Sequence, residues 1–135
     1  MPKEDVLMRQ ISELGFALRR LMERMKGGKG GGGGISQSSL ADNVALKEEL
    51  GLDWQEFLDL DADQLIPFLL ENPGFSAENM ELFADYLVQT GKEGYHKQNL
   101  YAKALLIYTH VDKETATFSM ERSGKIQRIK QESAS

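Results

Sequence analysis

Leu52-Asp53-Trp54-Gln55-Glu56-Phe57-Leu58-Asp59-Leu60-Asp61-Ala62-Asp63-Gln64-Leu65 decides the fold, because it carries two helix starts in succession. Asp53 has Glu56 three residues on, and Asp61 has Gln64. In each pair the first carboxylate can accept from an amide of the helix's first turn, while the second side chain can reach back to the cap. Leu52 with Phe57 and Leu60 with Leu65 add hydrophobic staples across the two caps. Working outward, Ser39 with Asp42 marks an earlier start, and Phe75 with Met80 staples a later one across Ser76. Gly51 ends a helix from Leu40 to Leu50. Asn72-Pro73-Gly74 ends one from Asp61 to Glu71, which Pro67 makes short or kinked. No segment alternates as a strand would. The expected fold class is all-α, a helical bundle.

Toward the amino end, Leu7, Ile11, Leu14, Leu18, Leu21 and Met25 recur at alternating spacings of four and three from Glu4 to Lys26. That is a helix with a narrow apolar seam. Gly15 and Ala17 beside the seam let another helix approach closely. Gly27 to Gly34, interrupted only by Lys29, cannot bury anything and reads as a flexible tether, native or engineered. The expected organisation is therefore an amphipathic helix over 1–26, a Gly/Ser-rich linker over 27–38 and a helical domain over 39–135.

Toward the carboxyl end the periodicity predicts helices over Ala77 to Thr90, Tyr95 to Val111 and Thr117 to Gln131, with a break at Gly91. The stretch Leu82-Phe-Ala-Asp-Tyr-Leu-Val-Gln-Thr-Gly91, followed by Tyr101-Ala-Lys-Ala-Leu-Leu-Ile-Tyr108, resembles a tetratricopeptide helix pair. Ala84 and Leu87 sit as the small and large residues of its first helix, Gly91 at its turn, and Tyr101, Ala104 and Tyr108 as packing residues of its second. With Thr117-Phe-Ser-Met-Glu-Arg-Ser-Gly-Lys-Ile126 after it, the carboxyl half is similar to uncharacterised bacterial proteins with a single tetratricopeptide-like hairpin. The resemblance implies a fold and an interaction role, and no chemistry. A single repeat cannot bury its own apolar faces, so the flanking helices must complete the core.

The 135 residues have room for one core. The net charge of −5 is segregated: seven bases and four acids lie up to Gly34, four bases and fourteen acids from there to Asp112, and five bases and three acids beyond. A basic arm, acidic body and basic tail attract one another, within a chain or between chains. With no cysteine, thiol nucleophiles, thiolate metal sites and disulfides are excluded. The opening residues lack the apolar run of a signal peptide, and no apolar run reaches the ~20 residues of a membrane span. A cytoplasmic protein is the expectation.

The search for chemistry ends without a site. The polyglycine matches a dinucleotide fingerprint only formally, with no strand before it. His96 and His110 are fourteen residues apart, without the i, i+4 pairing of a helical zinc site. Asp59, Asp61 and Asp63 begin like a calcium loop, but Gln64 and Leu70 stand where its glycine and glutamate belong. Arg9, Arg19, Arg20, Arg24 and Lys26 could meet phosphates, yet acids share that helix and no aromatics interleave, so nucleic acid is disfavoured. No catalytic residue, metal or cofactor is expected. The expected function is a non-catalytic interaction or scaffold module whose partner is another protein. The alternative is self-association through the N-terminal heptad helix, and a polyanion-binding arm ranks third. Leu14, Leu18, Leu21, Trp54, Phe57 and Tyr101 are the candidate interaction residues, with packing in the core as the ordinary reading of the aromatic ones. Arg122, four residues from both Phe118 and Ile126, is expected to clasp the last helix to the hairpin through Asp85, Tyr101 or Tyr108.

Overall fold

The computed structural model describes residues 2–27, 46–94, 96–116 and 119–134, and among these the regular structure is all α-helix. The helices are α1 (Pro2–Gly27), α2 (residues 46–50), α3 (Trp54–Asp59), α4 (Ala62–Leu70), α5 (Ala77–Lys92), α6 (Lys97–Thr115) and α7 (Met120–Ala134). The glycine tract beyond Gly27, the rest of the 27–38 linker, the Ser39 cap, Tyr95 and Phe118 lie outside the described residues.

The cap chemistry forms as its spacing dictates. The Asp53 carboxylate accepts from the Glu56 amide at 3.1 Å. Asp61 accepts from the amides of Asp63 and Gln64, while the Gln64 side chain accepts from the Asp61 amide at 3.0 Å, a complete capping box. Asp61 is thus employed as a cap, while Asp59 accepts from the Gln55 side chain at 3.1 Å. Ser76 caps α5 through the Asn79 amide. Pro67 stays inside α4, which is only nine residues long.

At the centre stands α5, which buries Met80, Phe83, Ala84, Tyr86, Leu87, Thr90 and Gly91. Its partner α6 runs antiparallel to it: Gly91 meets Tyr101 at one end and Asp85 meets Tyr108 nearer the other. The helix does not break at Gly91, as its sequence suggests, but runs on to Lys92. The turn falls to Gly94, whose φ of +99° suits glycine and whose amide donates to the Gly91 carbonyl. Gly91 is required for space instead, because a Cβ there would stand 2.9 Å from the Tyr101 ring. At its far end α6 also outruns expectation, passing Val111 to Thr115, since nothing between them stops a helix before Ala116 turns left-handed at φ 51°. The last helix likewise runs from Met120 to Ala134, with the Ser119 hydroxyl accepting from the Arg122 amide.

The N-terminal helix docks on its own body. Leu14, Ala17, Leu18 and Leu21 join one core with Phe83, Leu87 and Tyr108. Buried leucines of this kind are worth about 1.5–3 kcal/mol each, against about 0–1 for the exposed Arg20–Glu49 pair at 2.8 Å, so apolar packing holds α1. Asn79 of α5 sets the register: its side-chain amide donates to the Ile11 carbonyl of α1 and the Gly74 carbonyl, each at 2.8 Å. Gly15 fits beside it, where a Cβ would meet the Asn79 oxygen at 3.1 Å.

Two of the helical glycines predict opposite outcomes. Gly124, in α7, has nothing within 4 Å of a built Cβ, so Gly124→Ala raises unfolding stability by about 0.5–1 kcal/mol. Gly91→Ala lowers it by about 1–3 kcal/mol, because the Tyr101 ring must move. Urea midpoints of the two variants check both signs.

Candidate functional site

The structure corrects the list of candidate interaction residues. Leu14, Leu18 and Leu21 are covered by α5 and its neighbours. Trp54, Phe57 and Tyr101 are buried too. Trp54 stacks on Phe57 at 6.0 Å between centroids, and Phe57 meets Phe83 edge-on at 5.4 Å, so the aromatic pair is a wall of the core. Phe68 is half-buried. These side chains carry the strongest apolar signal, and burial is where that signal leads. None is presented to a partner. Of the basic face of α1, Arg9 and Arg19 are exposed and Arg20 is paired with Glu49.

What the fold leaves uncovered is a groove along the outer side of α6, where α4 flanks it. Ala62 and Ile66 form one wall, Ala102, Leu105, Leu106 and Thr109 the floor, and His110 and Lys113 one end. The cavity volume is about 590 Å³ and the lining is mostly apolar. Leu106 is 37% exposed, and the nearby helix end carries exposed Leu70. The floor residues fall on one side of α6 at helical spacing, and Ala102 among them, with Ala62 on the wall, permits close approach of another backbone. Beside the groove on α6, Lys103 and Asn99 hold α3 in place: the Lys103 ammonium donates to the Leu60 carbonyl at 2.9 Å and to Leu58, and Asn99 donates to Leu58 at 3.0 Å. The cation thus closes the carboxyl end of α3. Burial pushes the Lys103 pKa down against the attraction of Asp59 and Asp61. Sequence reasoning missed this residue, and a lysine two positions after a buried tyrosine gave little sign of it.

Across the hairpin from the groove, α7 is held by a network of charges. Arg122 is 6% exposed and its guanidinium donates to Asp112 of α6 at 2.5 Å and to Glu81 of α5 at 3.0 Å. Its partners are therefore not Asp85 and the tyrosines, the acceptors expected from sequence. Those are engaged otherwise: Lys125 bridges Glu81 at 3.0 Å and Asp85 at 3.1 Å, Tyr108 donates to Asp85, and Tyr101 donates to Glu132 at 2.7 Å. The pairs Arg122–Asp112, Lys125–Tyr108 and Glu132–Tyr101 step evenly in opposite directions, so α7 runs antiparallel to α6. The basic tail thus meets the acidic body within one chain. Among the described residues no buried side-chain nitrogen or oxygen lacks a partner.

The electrostatics follow. Burial and the bond to Asp85 drive the Tyr108 phenol far above its usual value. Burial and then Glu132 push Tyr101 up to about 12. For Lys125, burial opposes the charge, but the bonds and attraction of Glu81 and Asp85 outweigh it and hold the ammonium above its ordinary range.

No family model, curated protein or solved structure matches the chain. Among the described residues no three histidine or acidic side chains converge as metal ligands, and no helix is long and apolar enough to cross a membrane.

Arg122→Leu keeps much of the stem's packing and strands Asp112 and one bond of Glu81. It is expected to lower stability by about 2–3 kcal/mol, read from the thermal midpoint, and a midpoint at or above the parent's would refute the clasp. A second expectation concerns alkali. An unfolded phenol loses its proton near 10 and folded Tyr101 near 12, so in that window the unfolded chain binds fewer protons and stability falls as pH rises. Tyr101→Phe should show a shallower fall in urea midpoint across the same window, and parallel curves would contradict the assignment.

Proposed function

We infer that this chain is a non-catalytic protein-protein interaction module whose partner lays an apolar helix face along the α4/α6 groove. The observation that carries the reading is the groove itself: a mostly apolar surface with two alanines in it, left open where the short α4 flanks α6. Helix-in-groove recognition uses anchors at helical spacing, and Ile66, Leu105 and Leu106 provide their seat. The α5/α6 pair also supports the tetratricopeptide-like reading of the hairpin. Its small residues Ala84, Gly91 and Ala104 are buried where two helices approach, and α1, α3 and α7 complete the core that one repeat lacks.

Self-association is the second reading, and one feature favours it. The seam of α1 continues past the body at Leu7, where Val6, Leu7 and Met8 are all exposed. Among the described residues of the seam, these first turns are what remains for a second chain, since Leu14, Leu18 and Leu21 are covered.

Leu106→Asp places a charge in the groove on a side chain already at the surface, so the unfolding midpoint should stay close to the parent's. Affinity purification from native cells with parent and variant side by side should retain a partner on the parent that the variant loses. An identical set on both would overturn the groove, and a sedimentation mass that rises with concentration in parent and variant alike would favour self-association through α1.

A further inference from the structure

A second cavity, apart from the groove, opens where α1, α5, α6 and α7 meet. Its volume is about 210 Å³. Met22 of α1, Val88 of α5 and Ile129 of α7 make an apolar wall, and Tyr108, Asp85 and Lys125 lie at its base. Gln89, Lys92, Arg128 and Glu132 complete the lining.

The charges of this cavity are unequally employed. Asp85 accepts from Tyr108 and is bridged by Lys125, and Glu132 accepts from Tyr101, so both carboxylates are already answered by the protein. Lys92 and Arg128 are exposed at the mouth, one at the last residue of α5 and the other on α7, and neither has a carboxylate partner among the described residues. In a chain of net charge −5, two unanswered cations from different helices flank one apolar hollow. An apolar cavity of about 150 Å³ holds a benzene ring, and drug-sized ligands need roughly 300 Å³ or more. The volume here fits one ring with a short arm. We propose that this cavity is a binding site for a small monocarboxylate with a compact apolar body, seated with its ring or alkyl group against Met22, Val88 and Ile129 and its carboxylate between Lys92 and Arg128.

The probe is 3-phenylpropionate, with 3-phenylpropionamide as its uncharged counterpart, titrated into the full chain labelled with carbon-13 at the methionine methyls. Met22 reports the cavity, while Met8 and Met120 on the surface and Met80 in the core serve as references. The acid should move the Met22 signal saturably and bind about tenfold more tightly than the amide, with the advantage shrinking as salt is added. Lys92→Gln with Arg128→Gln alters two exposed side chains and should leave the thermal midpoint unchanged while reducing the acid to the amide's affinity. No saturable change at Met22 at millimolar acid would overturn the proposal. So would equal binding of acid and amide, or a double variant that binds the acid as the parent does. Loss of the partner in the groove experiment would leave this result untouched, because the two sites share only α6.

Discussion

Helix α5 has a buried face too broad for one neighbour to cover, and the rest of the molecule follows from that constraint. Phe83, Leu87 and Met80 are buried, and Tyr86, Ala84 and Thr90 beside them widen that face to about half the circumference of the helix. A face of that width has to be packed against several helices. The body encloses it with α6 and α7, and α1 closes the remaining side with Leu14, Leu18 and Leu21. Held by an apolar seam of its own, α1 thus belongs to the same core as the hairpin.

One strip of α5 is not apolar, and it decides how the final helix sits. Glu81 and Asp85 lie a turn apart, and a low-dielectric surrounding would make two uncompensated carboxylates costly. Arg122 and Lys125 on α7 answer them, Tyr108 adds an O–H, and Asp112 shares the guanidinium. The stripe of α7 is weakly apolar, with Ile126 half-buried and Ile129 buried. Its placement therefore owes more to directed charge-assisted bonds than to burial, and such bonds set a unique register where greasy contact permits sliding.

The two open features arise from the same economy of packing. Once α6 has turned Tyr101, Ala104, Ile107 and Tyr108 toward α5, its outer side is left with Ala102, Leu105 and Leu106, and the short α4 covers only part of it. At the α1/α7 seam the helices flanking Val88 do not meet fully, which leaves the smaller hollow. The first is the proposed seat of a partner helix and the second the proposed pocket for a small anion. Their chemistry differs because Lys92 and Arg128 both stand at the mouth of the second, whereas the groove is mostly apolar with Lys113 at one end.

Read alone, the chain determined the helices and their starts. Asp53, Asp61 and Ser76 cap the turns that follow them, because an N-cap bond spans two or three residues and is complete within the local sequence. The absence of strands among the described residues, the amphipathic N-terminal helix and the inward pull of Trp54, Phe57 and Tyr101 were legible for the same reason, since periodicity is a local property. Tertiary structure decided everything that depends on which faces meet. The role of Gly91 turned on a tyrosine ring ten residues away, and Arg122 chose Glu81 and Asp112 over nearer-seeming acceptors. Lys103 became the cap of a helix more than forty residues earlier, and the groove on α6 exists only because α4 stops short of covering it. Those outcomes rest on distances between segments remote in sequence, and no spacing along the chain encodes a distance until the core has closed.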